Sequence, residues 1–181
     1  VLRKDMKGYK KISNLLANSF NNVTIKSLDK LTDGQATTAL IGLDTLIREN
    51  KQDITEPITI GACDFGAIYS TEVLENMISQ TDIDVIVWGV RGNANAIRLP
   101  NMFGWIDETD GNINKISVKT PLNDPTTNPI VLGTFTFKSY KIFRAAIDHM
   151  YKREGKVNGE YYIDTMINDA IDMGMKCKLF E

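Results

Sequence analysis

The feature that most constrains the fold is a strand, a helix and a second strand in the middle of the chain. Residues 58–63 form a largely apolar run without polar alternation, which predicts a strand buried on both faces. A helical pattern follows at residues 71–80, and residues 85–88 predict a second apolar strand. Two buried strands joined by a helix are typical of a parallel sheet with helices on both sides. The predicted fold class is therefore α/β with a mostly parallel central sheet.

The second half of the chain adds a β-hairpin to this pattern. Its two strands flank Asp110 and Gly111, a pair that suits a tight turn in which both central residues have positive φ. Ser139 is a predicted N-cap for the helix that follows it. The remaining elements predicted from apolar spacing are helices at residues 7–20, 40–47, 140–150 and 162–173, and strands at residues 23–25, 130–138 and 175–180.

Composition narrows the class of function. The 181 residues carry 21 basic and 23 acidic side chains, so no polybasic surface is expected for a nucleic acid or an anionic membrane. The single histidine, His149, excludes zinc sites built on two or three histidines. Cys63 and Cys177 lack the spacing of a metal site and favour a reduced, cytoplasmic setting.

Asp64 is the residue that most strongly indicates chemistry. It follows the predicted strand at residues 58–63, and open α/β sheets bind ligands at the carboxyl ends of their strands. A carboxylate in that place is suited to hold Mg²⁺ against phosphate oxygens. The same residue is also suited to form a turn or to cap the next helix, and the local pattern leaves both interpretations open.

Four further residues are candidates for ligand contacts. Gly34 and Gln35 open a helix and are placed to present amide groups to a nucleotide base. Lys119 is a candidate donor to a sugar or phosphate oxygen, and Glu160 a candidate acceptor from sugar hydroxyls. Each has an ordinary alternative. Gly34 and Gln35 would form a helix-initiating turn, Lys119 would be a solvated surface lysine, and Glu160 would be favoured by the dipole at a helix N-terminus.

Short motifs occur in a recognisable order across nearly all of the chain. They are TDGQATTAL at residues 32–40, IGACD at 60–64, FG at 103–104, KTP at 119–121, IVLGTFTF at 130–137 and GEYYID at 159–164. Together with the hairpin turn at residues 110–111, this set resembles the sugar-phosphate nucleotidyltransferase family, also called nucleotide-diphospho-sugar pyrophosphorylases.

The resemblance implies both a fold and a reaction. The fold would be a Rossmann-like three-layer α/β/α domain over residues 1–181, of the nucleotide-diphospho-sugar transferase type. The reaction would join an NTP and a sugar 1-phosphate to give an NDP-sugar and pyrophosphate, with Mg²⁺, for surface polysaccharide precursors. In such a reaction the protein contributes positioning and charge stabilisation rather than a covalent intermediate.

The resemblance also assigns roles to seven residues, which divide into a base site, a catalytic pair and a sugar site. They are Gly34 and Gln35 at the base, Asp64 as the Mg²⁺ ligand with Lys119 at the sugar phosphate, and Gly104, Gly133 and Glu160 in the sugar pocket.

The chain also departs from the family pattern. Val118 stands where the family usually has Glu before the lysine, and Thr120 is inserted before Pro121. The family's Gly-rich phosphate loop would precede Val1 and its second Mg²⁺-binding Asp would follow Glu181, so we interpret both ends as cuts through a larger domain and expect this stretch alone to be inactive.

A nucleotide-sugar-dependent glycosyltransferase and a non-catalytic nucleotide-sugar-binding regulatory protein remain alternatives. The sequence determines neither the base, the sugar nor the oligomeric state, and a homo-oligomer is compatible with it.

Overall fold

The protein was analysed as a computed structural model that describes residues 1–181 apart from the side chain of Asn50. The helices are α1 Tyr9–Ser19, α2 Gln35–Asn50, α3 Thr71–Ser79, α4 Ala94–Arg98, α5 Tyr140–Lys152 and α6 Ile163–Asp172. The strands are β1 Leu2–Arg3, β2 Ser27–Leu28, β3 Ile58–Ile60, β4 Val85–Val90, β5 Gly104–Thr109, β6 Asn112–Val118, β7 Ile130–Phe137 and β8 Cys177–Phe180. None of the helices in this description is both long and apolar enough to cross a bilayer.

The central sheet is mixed, and the predicted mostly parallel sheet is not observed. Its strand order is β3-β7-β4-β8-β6-β5, and of the described pairings within this sheet only β4–β8 is parallel. β3 and β4 do run in the same direction, as predicted, but the antiparallel strand β7 lies between them. Two single-residue pairings, Trp105 with Ile130 and Asn112 with Lys178, close β7, β4, β8, β6 and β5 into a ring. An α/β fold is thus confirmed, and its sheet is not an open parallel one.

The strand that precedes Asp64 lies at the edge of the sheet, which corrects the prediction that it is buried on both faces. β3 pairs only with β7 among the described strands, and its central residue Thr59 is exposed. An apolar run without alternation also fits a short edge strand, so the pattern did not determine the position in the sheet.

Helices cover both faces of the sheet. On β4, Val85 and Val87 point into a core formed with α2, α5 and α6, whereas Ile86 and Trp88 point into a smaller core against α3. This alternation follows from the two-residue period of a strand. The larger core contains Phe135 and Phe137 of β7, both fully buried.

Local sequence signals account for several elements. Asp110 and Gly111 have φ of 51° and 76°, which confirms the predicted hairpin turn. The Ser139 hydroxyl accepts a hydrogen bond from the Ile142 amide at 3.4 Å, which confirms the predicted N-cap of α5. The strand predicted at residues 23–25 was wrong, because the parallel pairing with β1 forms two residues later, at β2.

A buried carboxylate joins α5 to α6. Asp169 has no exposed side-chain surface and accepts hydrogen bonds from Arg153 Nε at 2.5 Å and from His149 Nδ1 at 2.8 Å. The two basic side chains are each 42% exposed. His149 thus has a packing role at the interface of the two helices.

We expect Arg153→Met to destabilise the fold by about 2 kcal/mol, because the buried carboxylate of Asp169 loses two charge-assisted hydrogen bonds. Arg144→Met is the matched control, since Arg144 lies in α5 and Arg153 caps the C-terminal end of the same helix. Arg144 pairs with Asp148 on the surface, so removing this ion pair should lower the free energy of unfolding by less than about 0.5 kcal/mol. Urea unfolding of both variants measures the difference, and equal stabilities would contradict a structural role for the Asp169 contacts.

Candidate functional site

A pocket of about 490 Å³ lies at one edge of the sheet. The segments that meet there are the loop after β3, the end of β6, the starts of β5 and β7, and the N-terminal ends of α2 and α6. These elements are distant in sequence, so the pocket exists only in the folded chain. Its walls are mostly apolar and include Phe65, Val118 and Leu132.

Five of the seven residues that the resemblance assigned to substrate contacts line this single pocket. They are Gln35, Asp64, Gly104, Lys119 and Gly133. Gly34 and Glu160 are not among the lining residues, although Gly34 precedes the lining residue Gln35 and Glu160 interacts with the lining residue Tyr162. The structure therefore brings most of the predicted set together, and the individual roles remain predictions.

Gln35 connects the two helix starts beside the pocket. Its side-chain oxygen accepts a hydrogen bond from the Ile163 amide, the first amide of α6, at 3.5 Å. The Tyr161 amide donates to the Asp33 carbonyl at 2.8 Å, and the Ala36 amide donates to the Tyr161 carbonyl at 3.0 Å. The start of α2 is thereby fastened to the segment before α6.

Gly34 is required for the close packing of the start of α2 against Tyr161 rather than for the lining of the pocket. Its φ is 127°, and a Cβ at this position would lie 2.6 Å from both the backbone nitrogen and the backbone oxygen of Tyr161. Only glycine allows the two segments to approach so closely. A contact between Gly34 and a nucleotide base stays a prediction.

Gly34→Ala should destabilise the protein by at least about 3 kcal/mol, since it combines left-handed strain with a backbone clash. Gly61→Ala is a suitable control, because a Cβ there meets no atom within 4 Å. The control should change stability by less than about 1 kcal/mol. Thermal unfolding of both variants tests this, and a Gly34 variant as stable as the control would refute the packing argument.

Asp64 is an exposed carboxylate at the mouth of the pocket. It forms no ion pair within the described residues, and no group of three or more His, Cys, Asp or Glu side chains suited to a metal occurs among them. A cation at Asp64 would thus depend on ligands beyond protein carboxylates. Mg²⁺ is often held in this way, by one or two carboxylates together with substrate phosphates.

Lys119 contributes the ammonium group of the pocket. Its backbone has φ of 57°, and its amide donates to the Phe103 carbonyl at 3.1 Å. Its Nζ lies 5.7 Å from the centre of the Tyr162 ring. Glu160 reaches the site only indirectly, because the Tyr162 hydroxyl donates a hydrogen bond to it, which raises the pKa of Tyr162.

Asp164 is a second carboxylate of the pocket that sequence reasoning did not assign to the site. It lies in the first turn of α6, where a favourable interaction with the helix dipole explains an acidic residue by itself. In the fold, its carboxylate faces the pocket and is desolvated by the surrounding atoms, which raises its pKa to about 6. The sequence signal was only its place at the end of the GEYYID motif.

We expect Asp164→Asn to stabilise the ligand-free protein at pH 8 but hardly at pH 4. The pKa of Asp164 in the folded state is raised from 3.8 to about 6, so the wild type loses stability as the pH rises through that range. The variant lacks this loss, so its free energy of unfolding at pH 8 should be about 2–3 kcal/mol higher than that of the wild type. Urea unfolding at both pH values measures it, and an equal effect at both would exclude desolvation as the cause.

Solved structures share this fold. A nucleoside-diphosphate-sugar pyrophosphorylase from Vibrio cholerae aligns over 98% of this chain and 70% of its own length, with a TM-score of 0.74 and 16% identity. The inositol-1-phosphate CTP transferase from T. maritima aligns over 99% and 64%, with a TM-score of 0.65 and 15% identity. A Bacillus anthracis protein assigned as a glucose-1-phosphate thymidylyltransferase, in complex with a sucrose, aligns over 99% and 66%, with a TM-score of 0.60 and 18% identity.

The likeness is structural and not carried by overall sequence identity. No protein-family model matches the sequence, and no curated protein matches it either. The chain spans about two thirds of the length of the three structures. This chain therefore has the fold of these nucleotidyltransferase structures, whereas the Rossmann-like, mostly parallel sheet that the resemblance implied is not observed.

Proposed function

We propose that this chain is the nucleotide- and sugar-binding domain of a sugar-1-phosphate nucleotidyltransferase. The enzyme would form an NDP-sugar and pyrophosphate from an NTP and a sugar 1-phosphate. The observation that carries the proposal is the convergence of Gln35, Asp64, Gly104, Lys119 and Gly133 on one pocket. The three structural neighbours support it, since their names describe nucleotidyl transfer or NDP-sugar chemistry.

The shape and lining of the pocket suit such substrates. A volume of about 490 Å³ falls in the usual range for small-molecule sites, which are mostly apolar with a few polar groups that orient the ligand. Gly104 and Gly133 contribute backbone without a side chain to two parts of the pocket wall. Aromatic side chains, including Phe65 and Tyr162, provide surfaces for a planar base or the face of a sugar ring.

The charges of the pocket indicate that phosphates would enter together with a cation. The lining residues include two acidic side chains, Asp64 and Asp164, and one basic side chain, Lys119. This set does not by itself neutralise a triphosphate. Asp64, exposed at the mouth, would hold Mg²⁺ that arrives with the nucleotide, and the metal would offset charge on the phosphate oxygens.

The residues of the chain would then act by position and charge. An oxygen of the sugar phosphate attacks the α-phosphorus of the NTP, and the bond from that phosphorus to the bridging oxygen breaks as pyrophosphate leaves. Lys119 would hold the attacking phosphate by its ammonium group, and Gln35 would orient the base. No side chain needs to form a covalent bond in this scheme.

Asp64→Asn should lower the rate of pyrophosphate release by at least about 100-fold, because the cation loses its protein ligand. The NTP and the sugar 1-phosphate for this assay are first selected by thermal shift, with and without Mg²⁺. A ligand at 100 times its Kd stabilises the folded state by about 2.7 kcal/mol, which makes the correct pair visible.

Asp107→Asn is the matched control, since Asp107 is an exposed carboxylate on β5 outside the pocket. Its turnover should equal that of the wild type. Unchanged turnover in the Asp64 variant would remove Asp64 from the metal site. Tight NDP-sugar binding without any turnover by the full-length protein would instead favour the regulatory alternative.

A further inference from the structure

The pocket contains a carboxylate that the scheme above does not use. Asp164 Oδ2 lies so close to β5 that a Cβ on Gly104 would be 2.5 Å from it. Among the described residues, the side chain of no other residue donates a hydrogen bond to this carboxylate; its hydrogen bond comes from its own backbone amide. Its neighbours in the pocket wall include the apolar side chains of Val118 and Val131. A desolvated carboxylate with free acceptor capacity is costly unless a ligand supplies donors.

The ammonium group of Lys119 does not donate a hydrogen bond to the Asp164 carboxylate. Lys119 and Asp164 line the same pocket but form no salt bridge within 4.0 Å in the described part of the chain. Lys119 Nζ instead lies over the face of the Tyr162 ring, 5.7 Å from the ring centre. The pocket therefore presents a separated cation and anion, each with unused hydrogen-bonding capacity. A complementary ligand has an anionic end and, at some distance from it, hydrogen-bond donors.

Two classes of phosphorylated ligand fit a carboxylate and an aromatic ring: a sugar phosphate and an amino-alcohol phosphate such as phosphocholine. Recognition of a quaternary ammonium requires an aromatic face free for the cation. Here Lys119 already lies over the Tyr162 ring and would repel a second positive charge. Neutral hydroxyl groups meet no such repulsion, so the observations favour the sugar phosphate.

We infer that Asp164 is a specificity-determining residue that accepts hydrogen bonds from ring hydroxyls of the sugar, while Lys119 meets its phosphate. This inference rests on the proposed function and adds to it the group that selects the sugar. A carboxylate accepts from two adjacent hydroxyls at once, which gives geometric as well as energetic discrimination. An analogue that lacks the contacted hydroxyl leaves the desolvated carboxylate unpaired and should be rejected strongly.

Gly104 is the positioning partner in this arrangement. Its hypothetical Cβ would meet Asp164 Oδ2 at 2.5 Å and Val131 Cγ2 at 3.3 Å, so any larger residue must displace the carboxylate. Gly104→Ala should therefore impair the same step as Asp164→Asn without changing the charge of the pocket.

The test uses the full-length protein and steady-state kinetics with the NTP selected above. Substrates are glucose 1-phosphate, galactose 1-phosphate and mannose 1-phosphate, the monodeoxy analogues of the one that is turned over, and phosphocholine. The variants are Asp164→Asn, Gly104→Ala and the control Asp172→Asn, which alters an exposed carboxylate at the end of α6.

We expect Asp164→Asn and Gly104→Ala to lower kcat/KM for the sugar phosphate by about 10- to 100-fold, the loss typical of charge-assisted hydrogen bonds. KM for the NTP should stay at the wild-type value, and Asp172→Asn should match the wild type in both parameters. One deoxy analogue should be a poor substrate for the wild type yet no worse than the parent sugar for Asp164→Asn. A merely structural effect of the substitution would not produce that coupling.

Turnover of a sugar phosphate with Asp164→Asn equal to the control would overturn the role of Asp164 and leave the proposed function intact. Turnover of phosphocholine instead of sugar phosphates would overturn the sugar assignment. Absence of turnover and of binding with every pair of substrates would overturn the proposed function, and this inference with it.

Discussion

The pairing of β7 is the constraint on which the rest of the structure depends. This strand pairs with β3 and β4 on its two sides and touches β5 at Ile130, and its residues Phe135 and Phe137 are fully buried in the larger core. Because β7 runs opposite to β3 and Ile60 pairs with Phe135, the residues of β7 before Phe135 extend past the C-terminal end of β3. That placement puts Gly133 in one pocket wall with Asp64, about seventy residues earlier in the chain.

The pocket combines a stable frame with an unfavourable interior. Gln35, Tyr161 and Ala36 fasten the starts of α2 and α6 to each other through backbone and side-chain hydrogen bonds. Against this frame the protein holds Asp164 with a raised pKa and without a donor from another residue. Native proteins accept such costs mainly at sites where a ligand repays them. The position of this unfavourable desolvated carboxylate inside the pocket, rather than any single motif, supports a binding function.

Local sequence signals predicted most elements, because caps, turns and apolar spacing act within a few residues. The Asp110-Gly111 turn, the Ser139 cap and the start of α3 at Thr71 all lie where the pattern indicated. Strand pairing was not predictable in this way. The residues near 58–63 do not indicate that β7 pairs between β3 and β4. The edge strand β3 was therefore predicted to be a buried parallel strand.

The sequence by itself determined the α/β character, the order of most of the elements and the resemblance that singled out Gln35, Asp64 and Lys119. The tertiary structure decided which of these candidates share a pocket, and it added Asp164, whose sequence context is that of an ordinary acidic residue in a first helical turn. The physical reason is the range of the interactions involved. Helix and turn propensities depend on adjacent residues, whereas desolvation of a carboxylate depends on atoms brought together from β5, β6, β7 and α6.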